Sequence, residues 1–377
     1  MTDRVLVAGA GIAGLSTVRA LRRHGIPATA VEQRPTRLEA GLAINVPGNG
    51  VRALAALGVG DGLRDVGVPV SRREYRTQRG RLLFSVAEDE FWGGEHQPRC
   101  IRRRDLHELL EHDLPSGSVR YGVAVSAVRV TADGAEVTFS DGSTDRYGFV
   151  VGADGVHSAV RPSLFGDERL GAALLSAASW RFMAPDPGIT CWTVWTGDSG
   201  TVLLLPAGDG EVYGFASATR GGPIGSDPSW LSTAFAGFPE PVQTAVAEAL
   251  LRPDSMYHSP IEEVRIPRWH QGRVVLIGDA AHATAPVWAQ GASLAVEDAL
   301  VLAELLASRD WETVGGEWDR RRRGRVAHVQ AATDQLSRAA AKPAWLRNLL
   351  LPAIGRHSYR SAYGPLRTPV ASLTAPG

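Results

Sequence analysis

A short apolar run, Val5-Leu6-Val7-Ala8, leads directly into Gly9-Ala10-Gly11-Ile12-Ala13-Gly14. No other stretch restricts the fold as strongly. Residues 4–8 read as a buried strand, and the pattern that follows predicts a helix over 12–24 entered at the glycine turn. Gly25 is placed to stop that helix, and 28–32 reads as a second buried strand ending on Glu32. The product is a βαβ unit whose turn lets backbone N–H groups approach a pyrophosphate at the positive end of a helix. Glu32, followed by Gln33 and Arg34, stands where an acid accepts hydrogen bonds from both hydroxyls of an adenosine ribose. A carboxylate there disfavours a ribose 2′-phosphate. The fingerprint points to a dinucleotide and leaves open which one.

Bulk properties narrow the setting. A chain of 377 residues is too long for one ordinary core, so one large or two interleaved domains are expected. Lys+Arg and Asp+Glu both number 40, a formal net charge of +0. Nothing global therefore favours nucleic acid or an anionic membrane as partner, although local basic patches remain open. Cys100 and Cys191 are too few for a disulfide framework, match no metal-ligand spacing and read as small buried residues; no metal site is expected. Three glycines interrupt the apolar N-terminus and no basic segment precedes it, so it does not read as a signal peptide. No run of about eighteen apolar residues occurs, so stable membrane insertion is not expected. The expected location is cytoplasmic.

Further along, 49–58 reads as a helix, 70–84 as strands, and 102–112 as a helix with Leu106, Leu109 and Leu110 on one face. A hairpin is predicted around Ala132-Asp133-Gly134. From about 170 to 265 the chain turns rich in Trp, Thr, Ser, Gly and Pro, with strand-like runs at 191–195, 201–205 and 211–218. These read as an inserted antiparallel sheet. Val274-Val275-Leu276-Ile277 restores a buried strand, 292–307 and 317–340 read as helices, and the tail after Arg356 is expected to wrap or fray.

Two more glycine-acid signals follow the first. One is Gly152-Ala153-Asp154-Gly155-Val156-His157-Ser158-Ala159-Val160-Arg161. The other is Gly278-Asp279-Ala280-Ala281-His282, with Pro286, Gln290-Gly291 and Glu297-Asp298-Ala299 behind it. In that order the three resemble the class A flavoprotein monooxygenases, the family of p-hydroxybenzoate and salicylate hydroxylases. The resemblance covers the two nucleotide-binding ends well and the centre only in order and length.

It implies an α/β fold: a Rossmann-type FAD-binding domain with a parallel sheet, an inserted antiparallel-sheet substrate domain, and C-terminal helices. The FAD-binding domain would comprise 1–69, 101–169 and 266–377, and the substrate domain 70–100 and 170–265. It implies that Gly9, Gly11, Ala13, Gly14, Glu32, Gln33, Arg34, Gly278, Pro286, Ala292 and Ser293 surround FAD. Asp279 would accept hydrogen bonds from the ribityl hydroxyls. Gln290 and Gly291 would open a helix facing the N1–C2=O edge of the flavin, where a helix dipole stabilises the reduced anion. Arg103 would reach back to the phosphates, whereas Arg102 and Arg104 read as solvated. Asp154 and Arg161 would serve the pyrophosphate side and a transient NAD(P)H.

The chain departs from the family in carrying Trp288 and Ala289 where small residues and Gly are common. Trp288 either contacts flavin or substrate or packs as core. His282 reads as structural rather than as a base. Trp180, Trp192, Trp195, Tyr213 and Phe215 on the inserted sheet collectively suggest an aromatic pocket, and Arg320 to Arg323 a solvated helix face.

The resemblance implies an FAD-dependent monooxygenase that uses NAD(P)H and O2 to hydroxylate a phenolic or polycyclic aromatic substrate through a flavin C4a-hydroperoxide. The flavin carries the chemistry, and the sequence names no catalytic side chain. Epoxidation, double-bond reduction, or flavin binding without turnover are the competing readings. A monomer or homodimer is expected.

Overall fold

The computed structural model describes residues 4–37, 41–165, 173–176, 179–218, 227–258, 261–340 and 342–370. Its central sheet has six strands, ordered His270–Gln271, Val274–Leu276, Phe149–Gly152, Val5–Ala8, Ala28–Glu32 and Val119–Tyr121. All neighbours run parallel except the short edge strand His270–Gln271. Val5–Ala8 is buried throughout, as a central strand covered on both faces requires. The helices Ile12–Arg23 and Gly291–Ser308 pack together over this sheet.

The inserted sheet has seven strands: Tyr257–His258, Ser179–Pro185, Glu211–Ala218, Gly200–Gly208, Trp192–Thr196, Arg72–Thr77 and Leu82–Ala87. It was expected to be antiparallel and is mixed. Trp192–Thr196 pairs parallel with Arg72–Thr77 because the last two strands arrive from an earlier part of the chain. The predicted hairpin forms between Val125–Thr131 and Gly134–Phe139. A three-stranded sheet of Ala43–Val46, Arg99–Arg102 and Val68–Pro69 lies between the two large sheets in the chain's path.

The sequence reading missed the helix Glu240–Leu250, which lays Val242, Ala245, Val246 and Ala249 on the outer face of the seven-stranded sheet. It also stopped short at the C-terminus. Of wrapping and fraying, the described tail after Arg356 does the first: it completes the helix Ala344–Tyr363, and the carbonyls of Leu366 and Arg367 then accept from Arg52. Tyr359, Ala362 and Tyr363 recur at helical spacing and are buried, and Gly355 lets the Phe84 ring pack against the helix backbone.

The arginine run also needs correction. Arg322 is 0% exposed. Arg321 pairs with Glu304, and Arg323 pairs with Asp319 and lies over Trp269. Only Arg320 keeps the solvated position expected of all four.

Candidate active site

Backbone contacts bring the three glycine motifs together. Gly9 has φ +98°, and a side-chain carbon there would sit 2.5 Å from the carbonyl oxygen of Ala153 in the second motif. Gly278 has φ +55°, with its open side 3.0 Å from Cβ of Ala13 and 3.4 Å from Cβ of Ala295. The first and third motifs thus close on each other through a residue that cannot carry a side chain. At Gly14 the Gly9 carbonyl already fills the space.

Gly11 is different, because nothing lies within 4 Å of where its Cβ would be. The helix Ile12–Arg23 begins there with no side-chain cap and no acid in its first turn. Its free amides and partial positive charge therefore face open space.

Beside this turn, Glu32 is 6% exposed. One carboxylate oxygen accepts from the Ala10 amide at 3.0 Å, and the other accepts from the Arg34 amide at 3.0 Å and from its guanidinium at 3.1 Å. Burial alone would raise its pKa, but the hydrogen bonds from Arg34 and Ala10 hold it below the usual carboxylate range. Gln33 is exposed.

Arg103 opens the helix Arg103–Glu111, is exposed, and makes no side-chain bond with the described residues. Its neighbours are both paired, Arg102 with Glu211 and Arg104 with Asp105. Burial, reinforced by Arg103 and Arg34, lowers His107 to about 4, so that imidazole is neutral at physiological pH.

In the second motif Asp154 caps the helix Val160–Phe165, accepting from the amides of Ala159 at 2.7 Å and Val160 at 3.1 Å. Its other oxygen is buried without a partner. Arg161 is 5% exposed and donates to the carbonyls of Ala280, at 3.0 Å, and Val156, at 2.8 Å. That is a bracing position between the second and third motifs, largely removed from solvent.

The third motif separates an open charge from a buried lattice. Asp279 is exposed and unpaired among the described residues. One of its oxygens lies 3.8 Å from the open side of Gly291, first residue of the helix Gly291–Ser308. That helix also lacks a side-chain cap and an early acid. Pro286 is exposed and Ala292 partly so.

Gln290 and Ser293 turn their side chains inward. Gln290 exchanges two hydrogen bonds with Asn49, at 3.0 and 3.2 Å, and the Ser293 hydroxyl is buried against Gly50 without a partner. Behind them Asp298 accepts from His282 at 2.7 Å, from the Gly278 amide at 2.9 Å and from Arg322 at 2.6 Å. Burial opposes ionisation of Asp298, yet His282 and Arg322 together keep its pKa low. Glu297 takes Arg325 at 2.7 Å and Asn49 at 3.0 Å, and Arg322 at 3.2 Å. His282 is therefore structural.

Trp288 is 7% exposed and meets Tyr363 edge-on with ring centroids 5.5 Å apart. The Tyr363 hydroxyl donates to the Trp288 carbonyl at 2.7 Å, so the C-terminal helix holds this loop. The next residue, Ala289, has φ +52°, which explains why a glycine suits the position.

Ala289 packs against one face of the seven-stranded sheet, beside Tyr213, Trp192 and Met183. Met183, Tyr213, Leu205 and Trp192 form one cross-strand row there, and Arg181, Phe215, Leu203 and Val194 the next. Trp180 and Trp195, also expected at the pocket, point to the opposite face and join the core under Glu240–Leu250. Sequence reasoning missed Arg181, whose guanidinium carbon is 5.8 Å from the Phe215 ring and 5.9 Å from Tyr257, with no acidic partner among the described residues. It also missed Arg73, buried at 2.7 Å from Glu88 and 3.6 Å above the Trp192 ring.

The sequence profile of a family described as an FAD binding domain matches residues 2–334. The chain belongs to this family. Within it, the chain is a class A FAD-dependent monooxygenase. It is 32% identical over 326 residues to the 3-amino-4-hydroxybenzoate 2-monooxygenase PtmB3 of Streptomyces platensis, covering 81% of this chain and 80% of that protein. It is 33% identical over 339 residues to the FAD-dependent urate hydroxylase of Klebsiella pneumoniae, covering 86% of both. Its fold superposes on Klebsiella pneumoniae HpxO complexed with FAD and uric acid with a TM-score of 0.87, at 28% identity over 98% of both chains.

Proposed function

We propose that the protein hydroxylates a small aromatic or heteroaromatic ring bearing an acidic oxygen, using NAD(P)H and O2 at a single bound FAD. The observation that carries the reading is the pair of uncapped helix starts, at Gly11 and at Gly291, with the unpaired Asp279 carboxylate beside the second. The residues present fit FAD. The open side of Gly11 admits a pyrophosphate against free amides, with Arg103 as the cation that reaches it. Asp279 accepts from ribityl hydroxyls, and Glu32, with lone pairs remaining beyond its bonds to Ala10 and Arg34, accepts from the adenosine ribose.

When bound, the flavin supplies hydride acceptance and oxygen activation. The chain supplies the surroundings. The start of Gly291–Ser308 places positive potential where negative charge develops. The sheet face carrying Met183, Tyr213 and Phe215 keeps water from the ring and holds the substrate in plane. Burial raises the Tyr213 pKa, so its hydroxyl stays protonated and is available to donate. Arg181, with no acidic partner among the described residues, attracts a carboxylate or enolate on the substrate. NAD(P)H docks transiently, since the chain has one dinucleotide fingerprint.

The experiment is a panel of phenols, carboxylated aromatics and hydroxylated heterocycles, scored for stimulated NAD(P)H consumption and, by mass spectrometry, for a product gaining one oxygen. Acidic rings are expected to stimulate most, and Arg181→Leu is expected to remove that preference. An epoxide, a reduced double bond, or no turnover with any ring overturns the reading.

A further inference from the structure

The chain's neutral balance conceals an uneven distribution. After Asp334 there are six Lys or Arg residues, among them Lys342, the only lysine, and no acid. The preceding 334 residues carry 34 cations against 40 acids. The helix Ala344–Tyr363 lies in this acid-free stretch, packed through Gly355 and Tyr359 against the Leu82–Ala87 strand and the core.

Its outer face is apolar at one end and basic at the other. Trp345 is 69% exposed, Leu349 67%, Leu350 38% and Ile354 47%. These are four of the eight large exposed apolar residues among those described, and a fifth, Leu82, is on the strand the helix crosses. Arg356 and Arg360 are exposed two and six residues beyond Ile354, and Lys342 is exposed just before the helix. Arg81, in the turn beside Leu82, reaches the Asn348 carbonyl at 3.5 Å and adds a further exposed cation.

We propose that this helix is a docking surface for an anionic lipid membrane, on which the protein lies without crossing it. Exposed Trp, Leu and Ile on a helix flanked by Lys and Arg, with no carboxylate to repel phosphate, match the chemistry of an interfacial amphipathic helix. Lipid phosphates attract the cations while the apolar side chains enter the boundary between headgroups and acyl chains. Among the described residues no helix is long and apolar enough to cross a membrane, which fits a surface mode. A second copy of the chain fits less well, because a helix that carries cations and no acids would meet its own charge across a two-fold axis.

The test uses the purified, flavin-loaded protein with vesicles of phosphatidylcholine mixed with phosphatidylglycerol, and with pure phosphatidylcholine. Cosedimentation with the mixed vesicles is expected, weakened at least about tenfold on the pure ones and at high salt. The double variant Leu349→Glu, Ile354→Glu is expected to keep its yellow colour and lose association with the mixed vesicles, since both side chains are exposed. No association at low salt, equal association with both vesicle types, or retention by the double variant overturns the proposal. So does a change in molar mass of that variant by light scattering without vesicle binding, which would make the face an interface between copies.

Discussion

Two sets of charges flank the helix Gly291–Ser308, and they differ in whether the protein satisfies them. Beside its first residue Asp279 is exposed and has no partner among the described residues, as is also true of Arg103 at the start of Arg103–Glu111. Within and behind it Asp298, Glu297, His282, Arg322 and Arg325 form a lattice in which every carboxylate has at least two partners. Both sets carry similar residues in similar motifs. What separates them is that a charge left open in a folded protein is solvated until something binds, whereas a buried one must be matched by its own chain. The front is built for a ligand and the back for rigidity.

The largest effect that could break this contrast lies in the lattice. Arg322→Ala leaves Asp298 and Glu297 buried with one partner fewer, and a loss of about 3–5 kcal/mol in unfolding free energy is expected by denaturant titration. A loss under about 1 kcal/mol would remove the distinction. Asp279→Ala is expected to do the opposite: an unfolding midpoint close to that of the parent apoprotein, with FAD affinity reduced about 10–100-fold by visible titration. Full yellow occupancy at limiting FAD would show that the open carboxylate does not hold the ribityl chain.

The acid limb sharpens the contrast further. Since the folded pKa of Asp298 is depressed, its contribution is complete above the ordinary carboxylate range and lost as pH falls through the folded value. Wild-type stability should therefore drop more steeply than that of Asp298→Asn below about pH 4. Parallel curves would assign the acid sensitivity elsewhere. The smallest effect is expected at Ala289, where relief of the positive φ by Ala289→Gly should add about 0.5–1 kcal/mol. Destabilisation instead would mean that its methyl contact with the sheet face outweighs the strain.

Legibility from sequence divides along a related line. The βαβ unit was readable because Val5–Ala8 and the glycine spacing depend only on local geometry. The turns of the other two motifs were legible for the same reason, since their conformation is set within a few residues of chain. Lattice partners were not, because Asn49 finds Gln290 across some 240 positions. Nor could the sheet face be assigned. Trp192 and Trp195 differ by an odd number of residues, so they must point to opposite sides, but which side faces the cradle depends on how the sheet docks. The arginine run did hold an unused signal. Four successive helical residues sweep 300°, so they cannot all face solvent on a packed helix, and Arg322 is the one turned inward.

The bond from the Tyr363 hydroxyl to the Trp288 carbonyl carries a consequence for biosynthesis. Gly11 leaves the ribosome long before Tyr363, which latches the Trp288 loop. A nascent chain therefore has this turn early, and the Trp288 loop is held in place only once Tyr363 has been made.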